Sequence, residues 1–150
     1  MHSISINKST NTFESKGKPF FYLADTVWSA FTNIYYEDWE EYLEYRRMQG
    51  FNALQINILP QWDRSMPDLG YRPFKVDSTG KTDFYSIEPG YFDHAAKMLE
   101  SVVRKGFVPA LVVLWCDFVN GTWGSRVVPD HVMPLDAVKP YVEYVLNTTT

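Results

Sequence analysis

Residues 89–114 read PGYFDHAAKMLESVVRKGFVPALVVL, and they decide the fold class. Phe92, Ala95, Ala96, Leu99, Val102 and Val103 recur at helical spacing. Arg104 and Lys105 stand where basic residues complement the helix C-terminus, and Gly106 fits the position after it. Phe107 then opens a short apolar run, Val108 to Leu114, of strand length. The same punctuation occurs earlier. A helix predicted over 37–49 has Glu37 and Asp38 at its start, and Trp39, Tyr42, Leu43 and Arg46 on one face. Gly50-Phe51 follows, and then a strand from Asn52 to Leu59 with alternating Leu54, Ile56 and Ile58.

Outward from these two units, Pro19 to Ala24 reads as a first, doubly buried strand. A third helix is predicted from Pro134 or Leu135, with Val138, Tyr141, Val142 and Val145 on its face. Two long connections, about 60–90 and 115–134, carry aromatics rather than disorder-type composition. The order is βαβαβα, which argues for an α/β protein with a parallel sheet. Two architectures fit: the N-terminal portion, about three βα units, of a (β/α)8 TIM barrel, or a small open doubly wound sheet. No glycine-rich phosphate loop follows any strand, which disfavours a nucleotide-binding open sheet. A whole barrel typically takes about 250 residues, so 150 residues correspond to a barrel truncated before closure.

Composition narrows the function. Fourteen Lys+Arg against eighteen Asp+Glu give a net charge of -4 and no basic footprint for nucleic acid. No apolar stretch approaches the roughly 18 residues of a membrane span. The N-terminus has no signal-peptide core, which points to the cytoplasm. A single cysteine, Cys116, and three histidines without ligand spacing predict neither a metal nor a cofactor. No G-x-S-x-G motif supports a serine hydrolase.

The informative residues lie just after the strands, where barrels build their sites. Asp25 and Trp28 follow the first strand, Trp62 and Asp63 the second, and Trp115 and Asp117 the third. Asn57 is placed to face the barrel interior from the second strand. Indole platforms with adjacent amides and carboxylates suit sugar rings and their hydroxyls. Plainer roles are open to them: a turn cap or an arginine partner for Asp25, a helix or turn cap for Asp117, core packing for Trp28, a satisfied interior amide for Asn57.

The segments Leu23-Ala24-Asp25-Thr26-Val27-Trp28, Glu37-Asp38-Trp39, Gln49-Gly50-Phe51-Asn52, Gln55-Ile56-Asn57, Leu59-Pro60-Gln61-Trp62-Asp63 and Pro89-Gly90-Tyr91-Phe92-Asp93 resemble the apiosidase-like glycoside hydrolases, family 140. The resemblance runs from about Pro19 onward. It implies a (β/α)8 catalytic domain acting on side chains of plant-type polysaccharides, with a carbohydrate substrate. It also implies two catalytic carboxylates on strands from the fourth onward, which have no matching positions here, so the catalytic residues stay unknown. What the resemblance carries to this chain is Asp25, Trp28, Asn57, Trp62 and Asp63 as substrate-binding positions. The chain taken alone is then expected to be inactive and prone to self-association through open sheet edges. A non-catalytic carbohydrate-binding or interaction module is the competing reading. A self-sufficient small α/β domain using Asp25, Asp63 and Asp117 is a third.

Overall fold

The computed structural model describes residues 4–62 and 67–149. The chain starts with a small antiparallel sheet of β1 (Ile4–Asn7), β2 (Thr12–Ser15) and β3 (Lys18–Pro19), in that order. Lys16 and Gly17, with φ of 52° and 72°, make the two-residue turn between β2 and β3. Positive φ at both central residues is what a twisted hairpin demands. Sequence reading expected none of these three strands.

The central sheet holds β4 (Ala24–Val27), β5 (Ala53–Asn57) and β8 (Val108–Val112), parallel and in chain order. Between them run α1 (Ala30–Asn33), α2 (Tyr36–Met48), the hairpin β6 (Phe74–Val76) and β7 (Thr82–Ile87), and α3 (Pro89–Arg104). After β8 come α4 (Trp123–Val127) and α5 (Leu135–Thr149). In register, Ala24 faces Ala53, and Ala53 faces Val108. In parallel pairing, registered residues share a face. Leu54 and Ile56 therefore line one face, and Thr26, Gln55 and Ala110 form a row across the other.

Every long helix packs on the first of these faces. Leu54, Ile56 and Ile58 are buried in one core with Trp39 and Leu43 of α2, Met98, Leu99 and Val102 of α3, and Tyr141 and Val145 of α5. Each such side chain contributes roughly 1.5–3 kcal/mol by leaving water. Sequential strand order with helices on a single face is the barrel arrangement. A doubly wound sheet reverses order and covers both faces. The fold is thus α/β, with three consecutive βα units of a (β/α)8 barrel.

Buried polar groups tie the layers together. The Trp39 indole donates to the Met98 carbonyl at 3.1 Å, joining α2 to α3. The Tyr91 hydroxyl donates to the Ile58 carbonyl at 2.5 Å, and Tyr141 to the Val113 carbonyl at 2.8 Å. Both tyrosines thereby satisfy carbonyls just beyond strand ends, where the ladder stops. Burial pushes the Tyr141 hydroxyl well above its usual range, so it stays a donor.

Two sequence expectations need correction. The first parallel strand is Ala24–Val27, not Pro19–Ala24. Asn52 sets this register: its side-chain oxygen accepts from the Leu23 amide at 3.0 Å, and its amide donates to the Phe21 carbonyl at 2.6 Å. The apolar run preceding the strand stays outside the sheet, with Phe21 78% exposed. The connections at 60–90 and 115–134 also contain regular structure: the β6–β7 hairpin and α4. The hairpin turn is closed by Asp77, whose Oδ1 accepts from the Thr79 amide, the Thr79 hydroxyl and the Lys81 amide.

Candidate functional site

The C-terminal ends of the three parallel strands carry most of the predicted residues. Trp28 stands directly after β4 and is 49% exposed. Asn57 is the last residue of β5 and is buried, registered with Val112 of β8. By alternation it lies on the face opposite Leu54 and Ile56, as expected. Trp62 lies in the loop after β5, and Trp115 half-buried in the loop after β8. Asp117 sits in a short 3-10 turn, Cys116–Phe118, and is fully buried. Asp63 lies outside the described residues.

Asp25 is placed differently from the rest. It lies within β4, on the face shared with Leu54, and reaches α2. Its Oδ2 accepts from the Tyr42 hydroxyl at 2.6 Å and pairs with Arg46 Nε at 2.6 Å. The Arg46 guanidinium lies over the Tyr42 and Phe51 rings, 5.3 and 5.4 Å from their centroids. Burial first, and then the Asp25 bond, push the Tyr42 hydroxyl far above its usual range. Asp25 therefore holds a helix to the sheet and turns away from the interior row of Thr26, Gln55 and Ala110.

The strand-end loops hold an unusual amount of unspent hydrogen-bonding capacity. Both polar atoms of Asn57, Nε2 of Gln61 and Oδ1 of Asp117 are buried without a partner among the described residues. Leaving such a group unpaired costs about 1–3 kcal/mol, so folded proteins keep few of them. Gln61 is 2% exposed; the sequence places it among the informative residues after the second strand but not in the expected substrate-binding set.

Aromatic contacts bring the loops after β5 and β8 together. Trp62 and Trp123 meet edge to face at 5.6 Å between centroids. Trp123 itself is 54% exposed. Its partnership spans sixty-one positions, and no local pattern signals it. His131 reads in sequence only as a histidine without ligand spacing, yet its Nδ1 lies 3.0 Å from Asp117 Oδ2 and its ring stacks on Phe118 at 5.4 Å. Thr122 caps α4 by accepting from the Ser125 amide and donates to the Cys116 carbonyl, which pins the Asp117 turn.

A cavity of about 240 Å³ opens beside these loops. Pro60 from the β5 loop, Phe118 and His131 from the β8 connection, and Phe74, Thr82 and Phe84 of the hairpin contribute to its wall. Among the described residues no group of three or more His, Cys, Asp or Glu converges to hold a metal. Among the same residues no helix is long and apolar enough to cross a membrane. The arrangement offers flat aromatic faces, free amides and a buried carboxylate, a set suited to polyhydroxylated rings.

The chain resembles solved structures of larger proteins. One, described as a glycoside hydrolase, aligns with a TM-score of 0.64 at 20% identity, covering 96% of this chain and 30% of its own. A glycoside hydrolase family 5 structure from Bacteroides vulgatus ATCC 8482 aligns with a TM-score of 0.64 at 16% identity, covering 96% and 29%. A further structure from that strain has a TM-score of 0.61 at 16% identity, covering 99% and 37%. At these identities the likeness concerns the fold, and the chain spans about a third of the length of these structures. No curated protein sequence matches it. The apiosidase-like catalytic-domain family, however, matches over residues 7–148, nearly the whole chain, and the chain belongs to that family.

Proposed function

We propose that this chain is part of a glycoside hydrolase cleaving O-glycosidic bonds in side chains of plant-type polysaccharides, and that it supplies part of the sugar-binding face. One observation carries the reading. A chain of the apiosidase-like catalytic-domain family holds, at the strand ends where barrels bind ligands, buried polar atoms of Asn57, Gln61 and Asp117 that have no partner among the described residues. Asn57, Gln61 and Asp117 would bond sugar hydroxyls, and Trp28, Trp62 and Trp115 would offer ring platforms. Asp63, beside Trp62, belongs to the same proposed set.

The acid/base pair belongs elsewhere in this reading. Glycosidases use two carboxyl groups on opposite sides of the bond, roughly 5–9.5 Å apart. Of the strand-end carboxylates described, Asp25 faces α2 and Asp117 faces His131. Residues 1–150 are therefore proposed to form the first third of a catalytic domain and to be inactive alone. The outer edges of β4 and β8 have no strand partner among the described residues, which supports self-association of the isolated chain.

Titration of the chain with apiose-bearing pectic oligosaccharides, followed by tryptophan fluorescence, tests the binding role. Saturable binding weakened about tenfold by Trp62→Ala or Asn57→Ala is expected. No saturation, or a Trp62→Ala titration identical to wild type, would refute it. Hydrolysis of the same oligosaccharides by residues 1–150, abolished by Asp63→Asn or Asp25→Asn, would overturn the placement of the acid/base pair. Binding without hydrolysis in every longer form of the protein would favour the non-catalytic carbohydrate-binding module.

A further inference from the structure

The 240 Å³ cavity has an oriented imidazole in its wall that the proposed sugar-binding set does not use. Asp117 is fully buried, yet among the described residues only one of its carboxylate oxygens has a partner, His131 Nδ1 at 3.0 Å. A carboxylate accepts and does not donate, so the Nδ1 of His131 must carry the proton of that bond. In the neutral ring this leaves Nε2 as a lone-pair acceptor. Nε2 has no partner among the described residues, and the side chain is 34% exposed.

We propose that His131, positioned by Asp117, accepts a hydrogen bond from one hydroxyl of a neutral sugar ring seated in this cavity. The proposal rests on the carbohydrate reading above and adds a subsite to it. The walls fit such an occupant. Phe118 stacks on His131, Phe84 meets Phe118 edge-on at 6.4 Å, and Phe74 meets Phe84 edge-on at 5.2 Å. These rings suit the C–H faces of a sugar, and Thr82 adds a hydroxyl. The volume lies below the roughly 300–1,000 Å³ of drug-sized pockets, so one ring fits and an oligosaccharide does not.

Charge decides between a neutral sugar and a uronate. Arg72 lines the cavity, but its two terminal nitrogens bond the Asp68 carboxylate at 2.9 and 2.8 Å. That bidentate pair occupies the guanidinium face that would otherwise clamp a uronate. Asp117 behind His131 further disfavours an anion. In this cavity His131 would touch the sugar and Asp117 Oδ2 would position it, leaving Asp117 Oδ1 to the strand-end set proposed above.

The test is NMR of the chain labelled in its histidines, titrated separately with D-apiose, D-xylose and D-glucuronate. A saturable shift of the His131 ring signals with apiose or xylose is expected, with glucuronate about tenfold weaker. His131→Gln should weaken neutral-sugar binding by about tenfold. Asp117→Asn should shift the His131 nitrogen signals toward the Nε2–H tautomer and weaken binding similarly. A purely structural Asp117 would alter neither the tautomer nor the affinity. If Asp117→Asn does not fold, the wild-type titration and His131→Gln decide. His131 signals unmoved by every sugar while Trp62 fluorescence still titrates with oligosaccharide would overturn this inference and leave the function proposal standing. His131 shifts without any Trp62 response would support the cavity and refute the larger face. Equal binding by His131→Gln and wild type would refute the role of His131.

Discussion

Gly124→Ala should destabilise the chain although the residue is helical, and the geometry fixes the reason. Gly124 is the second residue of α4, where alanine is ordinarily better than glycine by about 1 kcal/mol. An alanine Cβ there would stand 2.7 Å from the Asp117 amide nitrogen, 2.9 Å from Asp117 Cα and 2.7 Å from Cys116 Sγ. Carbon contacts are optimal near 3.5–4.0 Å, so the turn must retreat by close to 1 Å. Two of the three contacts are backbone. That backbone is held by the Thr122 hydroxyl on the Cys116 carbonyl and by the Met133 amide on the Phe118 carbonyl.

Overpacking of this kind costs about 1–3 kcal/mol. With the helix preference subtracted, a net loss of about 1–2 kcal/mol is expected, because rigid backbone places the clash at the upper end of that range. For a chain of this size that lowers Tm by about 2–8 °C. Urea titration with matched slopes gives the difference directly. Cys116→Ala in the same chain removes only the sulfur contact, so it should restore less than half of the loss. A Gly124→Ala protein as stable as wild type, or full rescue by Cys116→Ala, would refute the backbone argument.

Three further outcomes follow from the contacts described. Asp25→Asn should cost about 1–2 kcal/mol in urea unfolding by weakening the Tyr42 and Arg46 bonds, while sugar affinity stays within twofold, roughly 0.4 kcal/mol; a large affinity loss at unchanged stability would return Asp25 to the site. Bonds from Arg47 and Lys105 hold the Glu44 carboxyl down at about 2, below its ordinary 4.5, so this tie between α2 and the end of α3 is intact above pH 4.5 and lost as pH falls through about 2; Glu44→Gln should flatten the Tm profile in that window, and an unchanged slope would exclude the tie. Burial, then Lys97, push the His94 imidazole below its ordinary 6.5, and its ring stacks on Tyr71 at 4.0 Å; stability should therefore fall as pH drops below 6.5 until the folded imidazole is protonated, and His94→Gln should remove that fall in a pH series of Tm values.

The repeating frame was legible because it depends on local periodicity. The stripe of α3 and the alternation of Leu54, Ile56 and Ile58 each bury one face, and the structure buries those faces. The glycines after α2 and α3 marked their ends for a physical reason: Gly50 and Gly106 take φ of 86° and 90°. The first parallel strand was misplaced because hydrophobicity was the wrong guide there. Its position follows from two bonds made by Asn52, twenty-nine and thirty-one residues from their partners. With that register Asp25 faces the helices, and its charge is compensated by Arg46.

The geometry of the candidate site was half legible for a related reason. That Asn57 points away from the helices follows from the period of a strand, so sequence sufficed. That Asp117 orients His131, and that Trp62 meets Trp123, are facts of loop folding between distant positions. Both contacts depend on the 115–134 connection folding compactly, and Gly124 is the position where that compactness is tightest. A glycine within a loop reads in sequence as flexibility. Here its missing Cβ lets α4 close on the Asp117 turn, so the same absent atom governs the stability of the connection and the orientation of His131. Gly124→Ala is therefore expected to weaken the His131–Asp117 bond as well as to lower Tm, and the two effects should appear together in one variant.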